Sequence, residues 1–108
     1  MIFISIDDFF AQVEGLSPLT RQEERTCAQQ MKNGDEEARR QLIEGYLPMV
    51  ASHIRHTSPR MQKLGLVTEC VCALEKAVDS FVFLQTGEPF SHRLSWILRQ
   101  TVIRYSVK

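Results

Sequence analysis

Nowhere does this 108-residue chain approach the ~18 consecutive apolar residues of a membrane-spanning helix. Its apolar start, MIFISI, is too short for a secretory leader and lacks a basic flank. Without a span or an export signal, the expected location is the cytoplasm, away from any membrane. Cysteine is scarce as well. Cys27, Cys70 and Cys72 are odd in number and two of them stand one residue apart, which argues against a disulfide framework and fits small buried hydrophobes. His53 and His56 near Cys70 and Cys72 match no common zinc spacing, so neither a metal nor a cofactor is expected. Net charge is absent too: 13 Lys and Arg balance 13 Asp and Glu, which rules out a generic polyanion binder. The paired acids Asp7 and Asp8 have no complementary His or metal cluster nearby in sequence, and nothing else suggests an enzyme. Strand signals are almost wholly lacking.

What is present is a hydrophobic content of 44%, enough for one core without disulfides, and a charge that is unevenly spread. Residues 1–44 hold nine acids against five Lys and Arg, a balance of −4, whereas residues 45–108 hold four against eight, a balance of +4. A nucleic-acid surface therefore belongs to the second half. The periodicity predicts an all-α fold, a small bundle of about five helices in one domain over 1–108. Ser5, Ile6, Phe9, Phe10 and Val13 mark a short helix at 6–14. Thr20 with Glu23 three residues on is a capping box, and Asp35 caps the next helix, giving a helical pair over 20–56. Pro48 inside that pair predicts a kink or a break into two helices. Residues 57–65 connect to a helix at 66–81, whose apolar stripe is Leu66, Cys70, Leu74, Ala77 and Phe81, with Thr68, Glu69, Cys72, Glu75, Lys76 and Asp79 opposite. Residues 82–89 read as a loop or helix end, and a last helix occupies 90–107.

That last helix has two faces. At about 100° per residue, Leu94, Leu98, Thr101, Val102 and Tyr105 form a core stripe. Arg93, Trp96, Ile97, Gln100 and Arg104 gather on the other side, with Arg99 and Ile103 at its edge. Two readings fit these residue types. In one, Trp96 packs on a neighbouring helix and the arginines are simply solvated, which composition alone favours. In the other, the indole stacks on unpaired bases while Arg holds phosphates and Gln reads a base edge.

The order of the residues adds to their types. The run F-S-x-x-x-x-W-x-x-R-Q-x-x-x-R, formed by Phe90, Ser91, Trp96, Arg99, Gln100 and Arg104, resembles the conserved second region of bacterial RNA polymerase sigma factors of the sigma-70 family. L-T-R-x-E-E at 19–24, N-G-D-E-E-A-R-x-x-L-I-E at 33–44 and L-E-K-A-V-D-S-F at 74–81 follow the family's order at nearly its spacing. The resemblance covers roughly residues 7–106, taking in the second conserved region and part of the one before it. It implies two surfaces on an all-helical domain. One is a docking helix for the clamp coiled coil of the largest subunit of core RNA polymerase, with contacts at Thr68, Glu69, Val71, Cys72, Glu75 and Lys76. The other is a helix that captures the melted non-template strand of −10 promoter DNA, with contacts at Phe90, Arg93, Trp96, Ile97, Arg99, Gln100, Ile103 and Arg104. An anti-sigma regulator is a further partner the resemblance admits.

The chain departs from that pattern at defined positions. Typical members carry D-L-I-Q-E-G-N-I-G-L on the docking helix; GLVTECVCAL here keeps Glu69 and places Gly65, Thr68 and Val71 at the acidic, amide and asparagine positions. On the DNA helix, Ile97 stands for a second Trp, Arg93 for a stacking Tyr and Ile103 for a Thr. Loss of the stacking Tyr predicts weaker capture of a flipped base, by about 1–3 kcal/mol. The alternative that these changes motivate is a sigma-like regulatory or protein-interaction domain without promoter recognition.

Overall fold

Capping chemistry sets the corners of the fold. The computed structural model describes residues 2–84 and 89–107, the side chains of 81–84 excepted. Five α-helices and one 3-10 turn, Pro59–Met61, account for the regular structure among the described residues, with no strand. Helix α1 (Ile6–Glu14) starts where the Ser5 hydroxyl accepts the Asp8 N–H at 3.0 Å. Helix α2 (Arg21–Lys32) opens on a reciprocal capping box: Thr20 Oγ1 accepts from Glu23 N–H at 3.1 Å, and Glu23 Oε1 accepts from Thr20 N–H at 3.0 Å.

The α2–α3 corner is built by three residues. Gly34 takes φ 89°, the left-handed region that glycine enters without a Cβ clash. Its N–H then reaches Met31 O at 2.9 Å and the Asp35 N–H reaches Gln30 O at 3.1 Å, the double closure of a Schellman motif. Asp35 turns at once to the next helix, its Oδ1 accepting from Glu37 and Ala38 N–H at 3.0 and 3.2 Å.

Helix α3 (Glu36–Arg55) runs through Pro48 as one element, so the break that proline made plausible is not taken. Leu42, Gly45 and Leu47 before it and Val50, Ala51 and Ile54 after it are all buried, and this burial on both sides holds one helix against the ~3 kcal/mol cost of an interior proline. Gly45 serves a close approach here. A Cβ at this position would lie 2.5 Å from Leu19 Cγ, so the missing side chain seats the α1–α2 connection on α3.

Helix α4 (Leu64–Leu84) begins earlier and ends later than the sequence predicts. Residues 82–84 continue the helix where a loop was expected, because no Gly or Pro interrupts the run before position 87. Of the remaining expected loop, 82–89, residues 85–88 lie outside the described residues, as does the side chain of Phe81, and Pro89 is the residue before the last helix. Val67 and Val78 join Leu66, Cys70, Leu74 and Ala77 in burial, widening the expected stripe, since α4 is central and packs against all four other helices. Helix α5 (Phe90–Ser106) lies chiefly on α4 and buries Phe90, Leu94, Leu98 and Thr101. No helix among the described residues is long and apolar enough to cross a membrane.

Candidate functional site

The two faces read from the sequence of α5 are both present. Leu94 and Leu98 are fully buried, and Thr101 enters the core because its hydroxyl donates to the Ile97 carbonyl at 2.8 Å. On the far side Trp96 is 62% exposed and Ile103 51%. Arg99 and Arg104 are exposed beside them, and Arg93 and Gln100 are half-buried. None of the three guanidiniums forms an ion pair among the described residues; Arg104 makes only a long 3.5 Å contact to Thr101 Oγ1. An exposed indole amid unneutralised cations on a helix face is an arrangement that anions and aromatic rings can use together.

Two of the contact positions implied by the resemblance are placed differently. Phe90 is 1% exposed and meets the Tyr46 ring edge-on, centroids 4.7 Å apart, so it anchors the start of α5 rather than touching a ligand. The phenol of Tyr46 is pushed well above its ordinary range by burial and by its hydrogen bond to Glu24, which ties this anchor to α2. Ile97 is half-buried, packing on the core while still lining the groove beside Trp96. An apolar side chain beside a helix–helix seam gains more from packing than from water.

The expected docking positions on α4 divide between two sides. Thr68 and Glu69 are exposed near the start of the helix, the Thr68 hydroxyl donating to Leu64 O at 3.1 Å. Val71 and Glu75 turn towards α3, where Val71 packs half-buried on the core and Arg39 approaches Glu75 at 3.8 Å and grips Asp79 with two bonds of 2.8 and 3.2 Å. Glu69, Cys72 and Lys76 instead line a groove of about 860 Å³ whose opposite wall is Arg93, Trp96 and Arg104 of α5. Gly65, at the family's acidic position, has a physical role: a Cβ there would lie 2.7 Å from the Tyr105 hydroxyl oxygen.

Cys27 and Cys70 are buried as expected, whereas Cys72 is exposed, in keeping with its place opposite the α4 stripe and against the reading of all three cysteines as buried hydrophobes. Burial raises both interior thiols, Cys27 with help from Glu23 and Asp35, and Cys70 up to about 12 with help from Glu69. The histidines considered for zinc are engaged elsewhere: His53 Nδ1 lies 3.0 Å from Met49 O, and His56 Nδ1 lies 2.6 Å from Ser52 O. Among the described residues no three His, Cys, Asp or Glu side chains are grouped to hold a metal.

The sequence reading missed part of the groove lining. Ala73 and Ala77, four residues apart on α4, line it together with Ser80 and His92. A run of small residues at i, i+4 beside Cys72 and Lys76 is the signal that could have indicated a helix edge left open.

No protein-family profile matches the chain. It is 36% identical over 106 residues to RNA polymerase sigma factor SigA of Clostridium acetobutylicum, an overlap that covers 94% of this chain and 28% of that one. It is 37% identical over 87 residues to the RNA polymerase sigma factor SigA of a Bacillus species, covering 80% of this chain and 23% of the relative. The chain thus spans about a quarter of the length of these curated relatives.

Proposed function

Because the chain is a domain of the sigma-70 family of bacterial RNA polymerase sigma factors, we propose that it is a transcription-initiation module with two ligands. Helix α4 docks on core RNA polymerase, at the clamp helices of the largest subunit, and α5 holds the non-template single strand of −10 promoter DNA. The observation that carries the DNA part is the outward face of α5, where Trp96 is 62% exposed with Arg93, Arg99 and Arg104 around it and no ion pair on any of them among the described residues. Stacking on the indole supplies sequence-tolerant affinity, the arginines neutralise phosphates, and Gln100 reads a base edge.

Fluorescence anisotropy with a labelled −10 non-template oligonucleotide at low salt tests this reading. Binding should weaken about 5- to 160-fold on Trp96→Ala, the equivalent of ~1–3 kcal/mol for one stacked base. No binding by the unaltered chain would remove the DNA role. Docking is tested by co-purification with core polymerase. Glu69→Arg should abolish it, because the exposed carboxylate would meet basic clamp residues, and undiminished recovery would sink that assignment.

A further inference from the structure

We infer that the cleft between α2 and α3, walled on one side by the α1–α2 connection, is a binding site for an extended organic cation of the aliphatic polyamine class. Its polar lining belongs wholly to the −4 half of the sequence, and it depends on neither the DNA nor the polymerase reading.

The cleft has a volume of about 600 Å³, within the ~300–1,000 Å³ of small-molecule sites. Gln22, Thr26 and Gln30 stand at i, i+4 and i+8, so one face of α2 lines it over about two turns, or ~12 Å. Glu23 joins them from α2, and Gln41 and Glu44 line it from α3. Leu16 and Leu19 of the connection add apolar surface, Leu19 being seated where Gly45 lacks a Cβ.

The chemistry of this lining selects a cation. Three carboxamides and two carboxylates offer acceptors, and no Lys, Arg or His lines the cleft among the described residues. Glu23 gives Oε1 to the Thr20 N–H at 3.0 Å and forms no ion pair among the described residues. Glu44 is met by Arg40 from the neighbouring α3–α4 groove, but Arg40 also carries Glu37, so two carboxylates share one guanidinium. The negative field reaches inside: the Cys27 thiol, which lines the cleft, is raised by burial and then by Glu23 and Asp35.

The spacing of the acceptors selects among cations. They are strung along the cleft, and among the described residues no three His, Cys, Asp or Glu side chains are grouped to hold a metal. A point ion therefore finds too few ligands, and a phosphate meets charge of its own sign. Ammonium groups spaced along an alkyl chain match both features. Their N–H donors reach the carboxylates and amide oxygens while the methylenes lie on Leu16 and Leu19. Occupancy then ties the α1–α2 connection, α2 and α3 together, which stabilises the folded chain.

Spermidine is the probe, titrated into the full chain without nucleic acid at constant ionic strength. Backbone amide NMR shifts should saturate and concentrate at 22–30 and 41–45 while those of α5 stay in place, and Tm should rise with spermidine concentration. Glu23→Gln removes a charge but keeps the capping box, which accepts Gln as well as Glu. That variant and Glu44→Gln should each weaken binding about 2- to 5-fold. Thr26→Trp fills the cleft without changing its charge and should abolish binding. Glu14→Gln, an exposed acid outside the cleft, should leave it unchanged. Shifts that never saturate, undiminished binding by Thr26→Trp, or equal weakening by Glu14→Gln and Glu23→Gln would mean that spermidine only screens surface charge, and would overturn the inference. Magnesium chloride producing the same saturable shifts would overturn it in favour of a point-cation site.

Discussion

Two sets of arginines divide the molecule. On α3, Arg40 is held by Glu37 and Glu44 of its own helix, and Arg39 by Asp79 and Glu75 of α4. On α5, Arg93, Arg99 and Arg104 form no ion pair among the described residues. The side-chain type is the same and the consequence opposite. Where carboxylates sit at i±3, i±4 or across a helix seam, the guanidinium charge is used inside the fold, and where α5 offers none, it is presented outward. The arginines of the ion pairs among the described residues both come from the −4 half of the sequence, whereas α5 lies in the +4 half and carries no acid of its own.

The largest expected effect breaks this comparison from the core side. Phe90→Ala should destabilise the fold by ~3–5 kcal/mol in urea unfolding, since the ring is buried against Tyr46. Trp96→Ala, on the opposite face of the same helix, should cost less than about 1 kcal/mol in that measurement and show its effect in oligonucleotide affinity instead. If the two variants behaved alike, α5 would not have two distinct faces. A smaller effect tests the paired region: Gly45→Ala must displace Leu19 and should cost ~1–3 kcal/mol, although alanine is the better helix former. The smallest effect compares the arginines directly. Arg39→Ala should cost ~0.2–1 kcal/mol of stability, as its pair with Asp79 is partly exposed, and leave oligonucleotide binding unchanged. Arg104→Ala should leave stability nearly unchanged and reduce the salt slope of binding by ~0.7. Equal salt slopes for the two variants would erase the distinction.

Local signals were legible in the sequence wherever backbone chemistry decides structure. Ser5, Thr20 and Asp35 cap the helices they precede, and the α5 periodicity separates Leu94 and Leu98 from Trp96. What the sequence could not reveal depends on which helix neighbours which. Pro48 is tolerated because burial on both sides of it outweighs its cost. The resemblance puts Val71 and Cys72 on one docking surface, yet they stand about 100° apart on the helix, and one turns to α3 and the other to the α5 groove, because α4 has neighbours on more than one side. Phe90 belongs to a motif that the resemblance ties to DNA, but motif membership does not distinguish a residue that touches a ligand from one that supports those that do.

At Gly65 a single position belongs to two histories. Against the docking pattern of the family it looks like an acid that has been lost. Within this fold it is the socket for the Tyr105 hydroxyl, where even a Cβ would stand 2.7 Å from the oxygen. Restoring an acid there is therefore coupled to the last helix: a side chain at position 65 has to be met by a shift of the Tyr105 hydroxyl, one residue beyond Arg104.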